Sequence, residues 1–321
     1  MSARLELALQ SGLSLTQPLS LICPAPDQDL SHLPLETQIV QPFKPFHDHF
    51  ARLGYRAVPE TSDPCATAVV FLPRSKSQAR ALIHQASERA DGLIVVDGPK
   101  TNGIDSILKD IRKRVAIGGP LAKAHGKIFW FHPEPEAFQG WAAPRVQRVD
   151  GYITAPGVFS ADGIDPASAL LKQVLPAQLG SAVADLGAGW GYLSSAVLEQ
   201  PTLKTVHLVE ADHTALTCAR ANIADDRARF DWADATVWTA PDPLDTVMMN
   251  PPFHTTRKAD PGLGQAFIAA AARNLNRNGS LWMVANRHLP YEATLHQSFA
   301  KVDEVVGDNR FKVFHASRPR R

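Results

Sequence analysis

Between residues 182 and 286 short apolar runs alternate with stretches whose apolar positions recur at helical spacing. AVADLGAG (182–189) is an apolar run that closes in glycines, and YLSSAVLEQ follows with a helical period. TVHLVEAD (205–212) predicts a second strand and HTALTCARANIA a second helix, ARFDWADA a third strand and DTVMMNPP a fourth. GQAFIAAAARNLNRNG predicts an alanine-rich helix closed by Gly279 as its C-cap, and SLWMVAN a fifth strand. Strands that alternate with helices predict a parallel sheet wound on both faces.

The first half repeats the later part of this order. ATAVVFLPR (66–74) takes the place of DTVMMNPP, SQARALIHQASERADG that of the alanine-rich helix, and LIVVDG that of LWMVAN. KAHGKIFWF (123–131) parallels GDNRFKVFHA (307–316), each a turn followed by an alternating strand. The repetition predicts an internal duplication. The first copy lacks a Gly-x-Gly-x-Gly stretch and carries Leu72-Pro73-Arg74 where the second has Asn250-Pro251-Pro252. Between the copies, residues 131–156 are rich in proline and poor in periodicity, as a linker would be. The expected division is a first domain over 1–135, a linker over 136–156 and a second domain over 157–321.

Composition narrows the class. The chain has 321 residues, 45% hydrophobic and 20% charged, with a formal net charge of +1. That suits about two globular domains and supplies no global field toward a polyanion, so a nucleic acid would have to meet local patches. The three cysteines, Cys23, Cys65 and Cys218, form no C-x-x-C pair, so neither a zinc site nor a disulfide framework is expected, and a reducing cytoplasm is. No metal site is expected. The N-terminus has no apolar signal region, and no window approaches the roughly 18 apolar residues a membrane span needs.

Candidate chemistry begins at DLGAGWG (185–191). Gly187, Gly189 and Gly191 lie between a strand and a helix, where glycine permits positive φ and close approach of a ligand to the backbone. A dinucleotide loop wants G-x-G-x-x-G. Here the spacing is G-x-G-x-G and Asp185 precedes it, an acid that would repel a pyrophosphate but accept an α-ammonium group. That favours S-adenosylmethionine over NAD, the bland alternative being a turn that only links strand to helix. Glu210 ends the next strand, where a carboxylate can accept both ribose hydroxyls of a nucleoside, with Asp212 as the nearby alternative. Asp234 follows the third strand and is either an acceptor for an adenine amino group or a helix N-cap.

VMMNPPFH (247–254) is a strand that stops in a stiff corner. Ligands of open parallel sheets bind outside the carboxyl ends of the strands. There the Asn250 amide oxygen and the Pro251 carbonyl offer two acceptors, which suits a planar amine bearing two hydrogens. Bonds to both hydrogens would build electron density on that nitrogen as it attacks a methyl sulfonium, which is positioning plus electrostatic stabilisation without a strong base. Pro252 helps fix the corner, and Phe253 would stack on the flat group. The alternative is a proline-rich strand exit with Phe253 in the core.

The second half resembles class I S-adenosylmethionine-dependent methyltransferases that modify planar amino groups, through the 185–191 loop and the Asn250-Pro251-Pro252-Phe253 corner. With PGVFSADGIDPAS (156–168), ANRHLPYEATL (285–295) and RFKVF (310–314), it resembles the ribosomal RNA small subunit methyltransferase C family. VDGPKTNGIDSIL and GPLAKAHGKIFWF extend the resemblance into the first half. The resemblance implies two tandem Rossmann-like methyltransferase domains, the N-terminal one degenerate and the C-terminal one a seven-stranded class I sheet. It also implies S-adenosylmethionine as cofactor and methylation of a guanine N2 in 16S ribosomal RNA. Trp190 departs from the small residue found in many relatives, and Asp234 is not a fixed feature of the pattern.

In that family the 156–168 segment lies over the cofactor, so Phe159 would pack on it, while Asp165 reads as the N-cap of PASALLKQVL with Pro166 at its first position. His254 could reach the base or a phosphate, a surface histidine being the alternative. Arg257 and Lys258 follow the corner closely enough to hold a phosphate flanking the target base, a contact that would weaken with salt. Lys100, Lys109, Arg112, Lys113, Arg114, Lys123 and Lys127 form a basic run, either an RNA surface or a solvated helix face. The expected partner is 16S rRNA or the 30S subunit, with no membrane and a monomer as the default. Two other functions share parts of the pattern: methylation of a protein glutamine amide, and a non-catalytic RNA-binding assembly factor.

Overall fold

The computed structural model of the protein describes residues 3–144, 146–252 and 261–320. It divides into two compact units, Met1–Arg145 and Val146–Arg321. In the first, α1 (Ala3–Gln10), β1 (Leu19–Ile22), β2 (Gln38–Val40), α2 (Lys44–Arg52), β3 (Arg56–Val58) and β4 (Cys65–Phe71) precede α3 (Lys76–Arg89). Then come β5 (Ala90–Pro99), α4 (Ile104–Ile111), β6 (Gly118–Lys123), β7 (Gly126–Phe131) and α5 (Pro135–Phe138). The strands form one seven-stranded sheet in the order β3-β2-β1-β4-β5-β7-β6, in which β7 runs antiparallel to both β5 and β6.

The second unit opens with a hairpin, β8 (Gln147–Val149) and β9 (Tyr152–Thr154), followed by α6 (Pro166–Val174) and β10 (Ala182–Leu186). Alternation continues through α7 (Tyr192–Val197), β11 (Thr205–Glu210), α8 (His213–Asn222), β12 (Ala228–Trp232), β13 (Leu244–Met249) and α9 (Pro261–Asn274). It ends with β14 (Leu275–Asn286), α10 (Glu292–Ser298), β15 (Phe299–Gly307) and β16 (Phe311–Pro319). The sheet order is β12-β11-β10-β13-β14-β16-β15, which is the order of the first unit strand for strand. The central strands are buried almost throughout, as parallel strands covered on both faces must be. One apolar layer joins α6, α7 and α8 to the sheet, and the other joins α9 and α10.

The ladders give the two sheets a common register. Starting from the Lys-x-Phe strands, Phe129 pairs with Val96, Val96 with Val70, and Val70 with Ile22. In the second unit Phe314 pairs with Met283, Met283 with Met249, and Met249 with Leu186. Stepping one residue along each strand places Leu21 where the second unit has Asp185, Gln41 where it has Glu210, and Phe71 where it has Asn250. The counterpart of Asn250 is thus Phe71 rather than Leu72. The prolines stand one position out of this register, because a strand end is set by its neighbours' hydrogen bonds and not by where the next proline falls.

Gly279 is not a C-cap. The alanine-rich helix stops at Asn274, and Gly279 lies inside β14, where a Cβ would meet the Leu244 carbonyl oxygen at 3.0 Å. The Asn274 amide ends the helix instead: it donates to the carbonyls of Ala270 (2.8 Å) and Trp238 (3.2 Å) and accepts from the Ala240 N–H (2.7 Å). Within 136–156, Phe138 and Trp141 are buried in the first unit's core, and the β8–β9 hairpin belongs to the second unit.

Candidate active site

Three strand ends and one loop supply the site. At the end of β10, Asp185 is buried; its Oδ2 accepts from Ser194 Oγ at 2.8 Å, and its Oδ1 has no hydrogen-bond partner. Burial pushes this carboxyl up to about 7, against the hydroxyl bond that lowers it, with the Glu210 charge raising it further. Glu210 ends β11 and is also raised to about 7 by burial, although the N–H groups of Asp212 and Gly189 donate to it at 2.8 Å each.

The loop between β10 and α7 is built on positive φ: +79° at Gly187, +56° at Gly189 and +92° at Gly191. The glycines do different work. At Gly191, the N-cap of α7, a Cβ would meet Ile223 at 2.9 Å, so packing excludes a side chain. At Gly189 a Cβ would meet nothing within 4 Å, so the backbone there faces open space. Trp190 packs into a small apolar cluster with Val158, Ala215 and Cys218, and its indole N–H donates to the Phe159 carbonyl at 3.0 Å. The departure at this position is therefore an anchor for the 152–164 segment. Phe159, held by its own carbonyl, is 59% exposed.

Asn250 follows β13, and its amide nitrogen donates to Asp165 Oδ2 and to Ser168 Oγ, both at 2.9 Å. Asp165 is the N-cap of α6, accepting from the Ser168 N–H at 2.8 Å, with Pro166 at the first helical position. Two cavities meet at these residues. One is lined by Asp185, Gly187, Ala188, Gly189, Trp190 and Ser160, among others. The other, of about 160 Å³, is lined by Pro251, Ala285, Asn286, Leu289, Tyr291 and Phe311, among others. Phe159, Asp165 and Asn250 line both and form the wall between them.

Of the residues singled out in the sequence, Asp185, Gly187, Gly189, Asn250, Pro251 and Phe159 line one or both cavities. Glu210 stands behind Gly189, and Gly191 closes the loop onto α8. Asp212 caps α8 through the Thr214 N–H. Asp234 Oδ1 accepts from both the N–H and the hydroxyl of Thr236, at 2.9 and 2.7 Å, and Asp234 lines neither cavity. Pro252 is the last described residue of the corner, and Phe253, His254, Arg257 and Lys258 lie outside the described residues. In the basic run, Lys127 pairs with Asp105 at 2.7 Å and the Arg114 guanidinium lies over the Trp141 ring. No helix among the described residues is long and apolar enough to cross a membrane, and no group of three or more His, Cys, Asp or Glu gathers among them as a metal site.

Four features of the site escaped residue-by-residue reading. Ser168 and the 286–291 segment come from elements whose pattern signals only a helix start and a strand exit. The link from Asp165 to Asn250 spans 85 residues and leaves no local trace. Ser194, which holds Asp185, reads only as a polar position of α7.

Comparison with known proteins agrees with this geometry. Residues 151–315 match the family model described as Methyltransferase small domain. A protein of Shewanella sp. (strain MR-4) named Ribosomal RNA small subunit methyltransferase C is 30% identical over 266 residues, covering 78% of this chain and 77% of its own. One of the same name from Salmonella enteritidis is 28% identical over 277 residues, covering 81% and 78%. Among solved structures, a 16S rRNA N2 methyltransferase of T. thermophilus, in complex with AdoMet and guanosine, superposes with a TM-score of 0.79 at 23% identity. The match covers 97% of this chain and 90% of that one, so the two share the whole tandem fold. The chain belongs to the ribosomal RNA small subunit methyltransferase C family.

Proposed function

We propose that the protein transfers a methyl group from S-adenosylmethionine to the exocyclic N2 amine of a guanine in 16S rRNA. The observation that carries this reading is the shared wall: Asn250 stands between a glycine-lined cavity with the buried Asp185 carboxylate and an apolar cavity with aromatic walls. The residues fit the cofactor. Asp185 Oδ1 is a buried acceptor without a donor, which an α-ammonium group would supply, and the backbone at Gly189 is open to close approach. Glu210, at the next strand end, has a carboxylate for ribose hydroxyls. When bound, the cofactor supplies an electrophilic methyl on a sulfonium.

The chain's own residues do the rest by positioning. Both hydrogens of the Asn250 amide are engaged, which leaves its Oδ1 to accept from an amine bound in the second of the two cavities that Asn250 lines. An amine placed there meets this oxygen and the Pro251 carbonyl beside it, and the two hydrogen bonds localise the nitrogen lone pair. The exposed Phe159 ring, on the wall itself, can cover a ligand in either cavity and exclude water. Phe253 would stack on the base, and His254, Arg257 and Lys258 would contact RNA just after the corner. The partner would be the rRNA or the 30S subunit, met in the cytoplasm by a monomer. The test is transfer of labelled methyl to 16S RNA and to 30S subunits, followed by mapping of the modified nucleotide. Label on a guanine N2 is the expected result, and label confined to other atoms or to protein would overturn the reading.

A further inference from the structure

The structure assigns Asp165 a second task besides capping α6: it is a positioning residue that, with Ser168, locks the Asn250 amide in the one orientation that presents oxygen to the second cavity. The inference rests on the role given above to Asn250.

An asparagine amide has two near-isosteric ends and can turn over about its last bond. Here the end 2.9 Å from Asp165 Oδ2 has to be the nitrogen, because a carboxylate has no proton to donate and a carbonyl oxygen at that distance would be repelled. Ser168 Oγ accepts the second hydrogen at 2.9 Å, so both donors are tied and the oxygen faces away from α6. Ser168 alone could not choose the orientation, since a hydroxyl serves either end; the negative charge chooses. Asp165 is itself held by the Ser168 N–H at 2.8 Å, and its carbonyl accepts from the Ala169 N–H at 2.9 Å. The first turn of a helix 82 to 85 residues away thereby sets the polarity of the corner. Two effects on transfer follow. The carboxylate polarises the amide and makes Oδ1 a stronger acceptor. It also places negative charge behind the point where the attacking amine becomes positive.

Asp165→Asn is the discriminating change, because asparagine caps a helix about as well as aspartate but can donate as well as accept, which frees the Asn250 amide to turn over. Turnover should fall at least tenfold, with S-adenosylmethionine affinity by calorimetry within twofold of the parent. Ser168→Ala should lower turnover by a few-fold, and the side-chain NH₂ resonances of Asn250 should shift in its NMR spectrum, a readout that survives even where Asp165→Asn folds poorly. In an Asn250→Ala background, Asp165→Asn should cost nothing further. The inference fails if Asp165→Asn keeps turnover within twofold, if it multiplies the Asn250→Ala loss, or if it weakens cofactor binding as much as turnover. Its failure is separable from that of the role given to Asn250, which falls if Asn250→Ala methylates RNA at the parent rate.

Discussion

Two sheets of identical strand order end in opposite ways. In the second unit the ends of β10, β11 and β13 carry Asp185, Glu210 and Asn250. At the same ladder positions the first unit has Leu21, Gln41 and Phe71, and all three are buried. The Gln41 amide is tied to the Pro24 carbonyl and the Phe43 N–H, at 2.8 and 3.1 Å, and Leu72 just beyond the corner gives its carbonyl to the Asn102 amide at 2.6 Å. These polar groups of the first unit bond internally, whereas the second unit keeps an unpartnered carboxylate oxygen on Asp185 and an asparagine that lines both cavities. A parallel sheet leaves its carboxyl ends available for ligands. At these three positions the first unit has buried side chains that extend its core, and the second has two acids and an amide.

The comparison can be broken hardest at Asn250. Asn250→Ala should lower the methyl-transfer rate by about 10²–10³-fold, the scale of losing one transition-state hydrogen-bond partner, with cofactor affinity within twofold. Comparable loss of both, measured by single turnover and calorimetry, would mean Asn250 builds the cofactor cavity instead. The mirror change, Phe71→Ala in the first unit, should cost about 3–5 kcal/mol of stability in denaturant unfolding and leave cofactor affinity untouched. Reduced affinity there would make the first unit part of the site.

Asp185 sharpens the contrast further. Its carboxyl and that of Glu210 rise from ordinary values of 3.8 and 4.5 to about 7, so the folded protein keeps these protons over a range in which the unfolded chain has lost them. Stability from these groups is full below the ordinary values and is lost as pH rises toward 7. Asp185→Asn should remove its share of that loss, raising the melting temperature of the ligand-free protein at pH 8 while weakening cofactor binding at least tenfold. In the parent protein, binding of an ammonium-bearing cofactor requires the ionised acid. Affinity should therefore fall below pH 7, by up to about tenfold per pH unit, and a flat calorimetric profile from pH 5.5 to 8 would remove Asp185 from the contact. The smallest effect is expected at Gly189→Ala. An alanine at φ +56° with open space around it should cost about 1 kcal/mol of stability and weaken the cofactor a few-fold, whereas Gly191→Ala should act mainly on stability.

Much of this was legible in the chain. Alternating apolar runs and helical spacings specify a wound parallel sheet because burial on both faces demands such runs, and the duplicated order predicts a second sheet like the first. The first unit's opening strands were not legible: β1, β2 and β3 are short, and β2 and β3 are only three residues each, too brief for a period to show. The end of α9 lies before the expected Gly279 because Asn274 closes that helix through bonds to residues 34 and 36 positions earlier.

What the sequence determined by itself is the chemical inventory: an acid before a glycine turn, a second acid one strand later, and an amide on a proline corner. Those are local facts, set by residue type and by the backbone conformations glycine and proline permit. Only the tertiary structure decided which end of the Asn250 amide faces Asp165, that Trp190 is an anchor, and that Phe71 rather than Leu72 corresponds to Asn250. Orientation and register depend on hydrogen bonds between strands and helices far apart in the chain, and no local pattern records them.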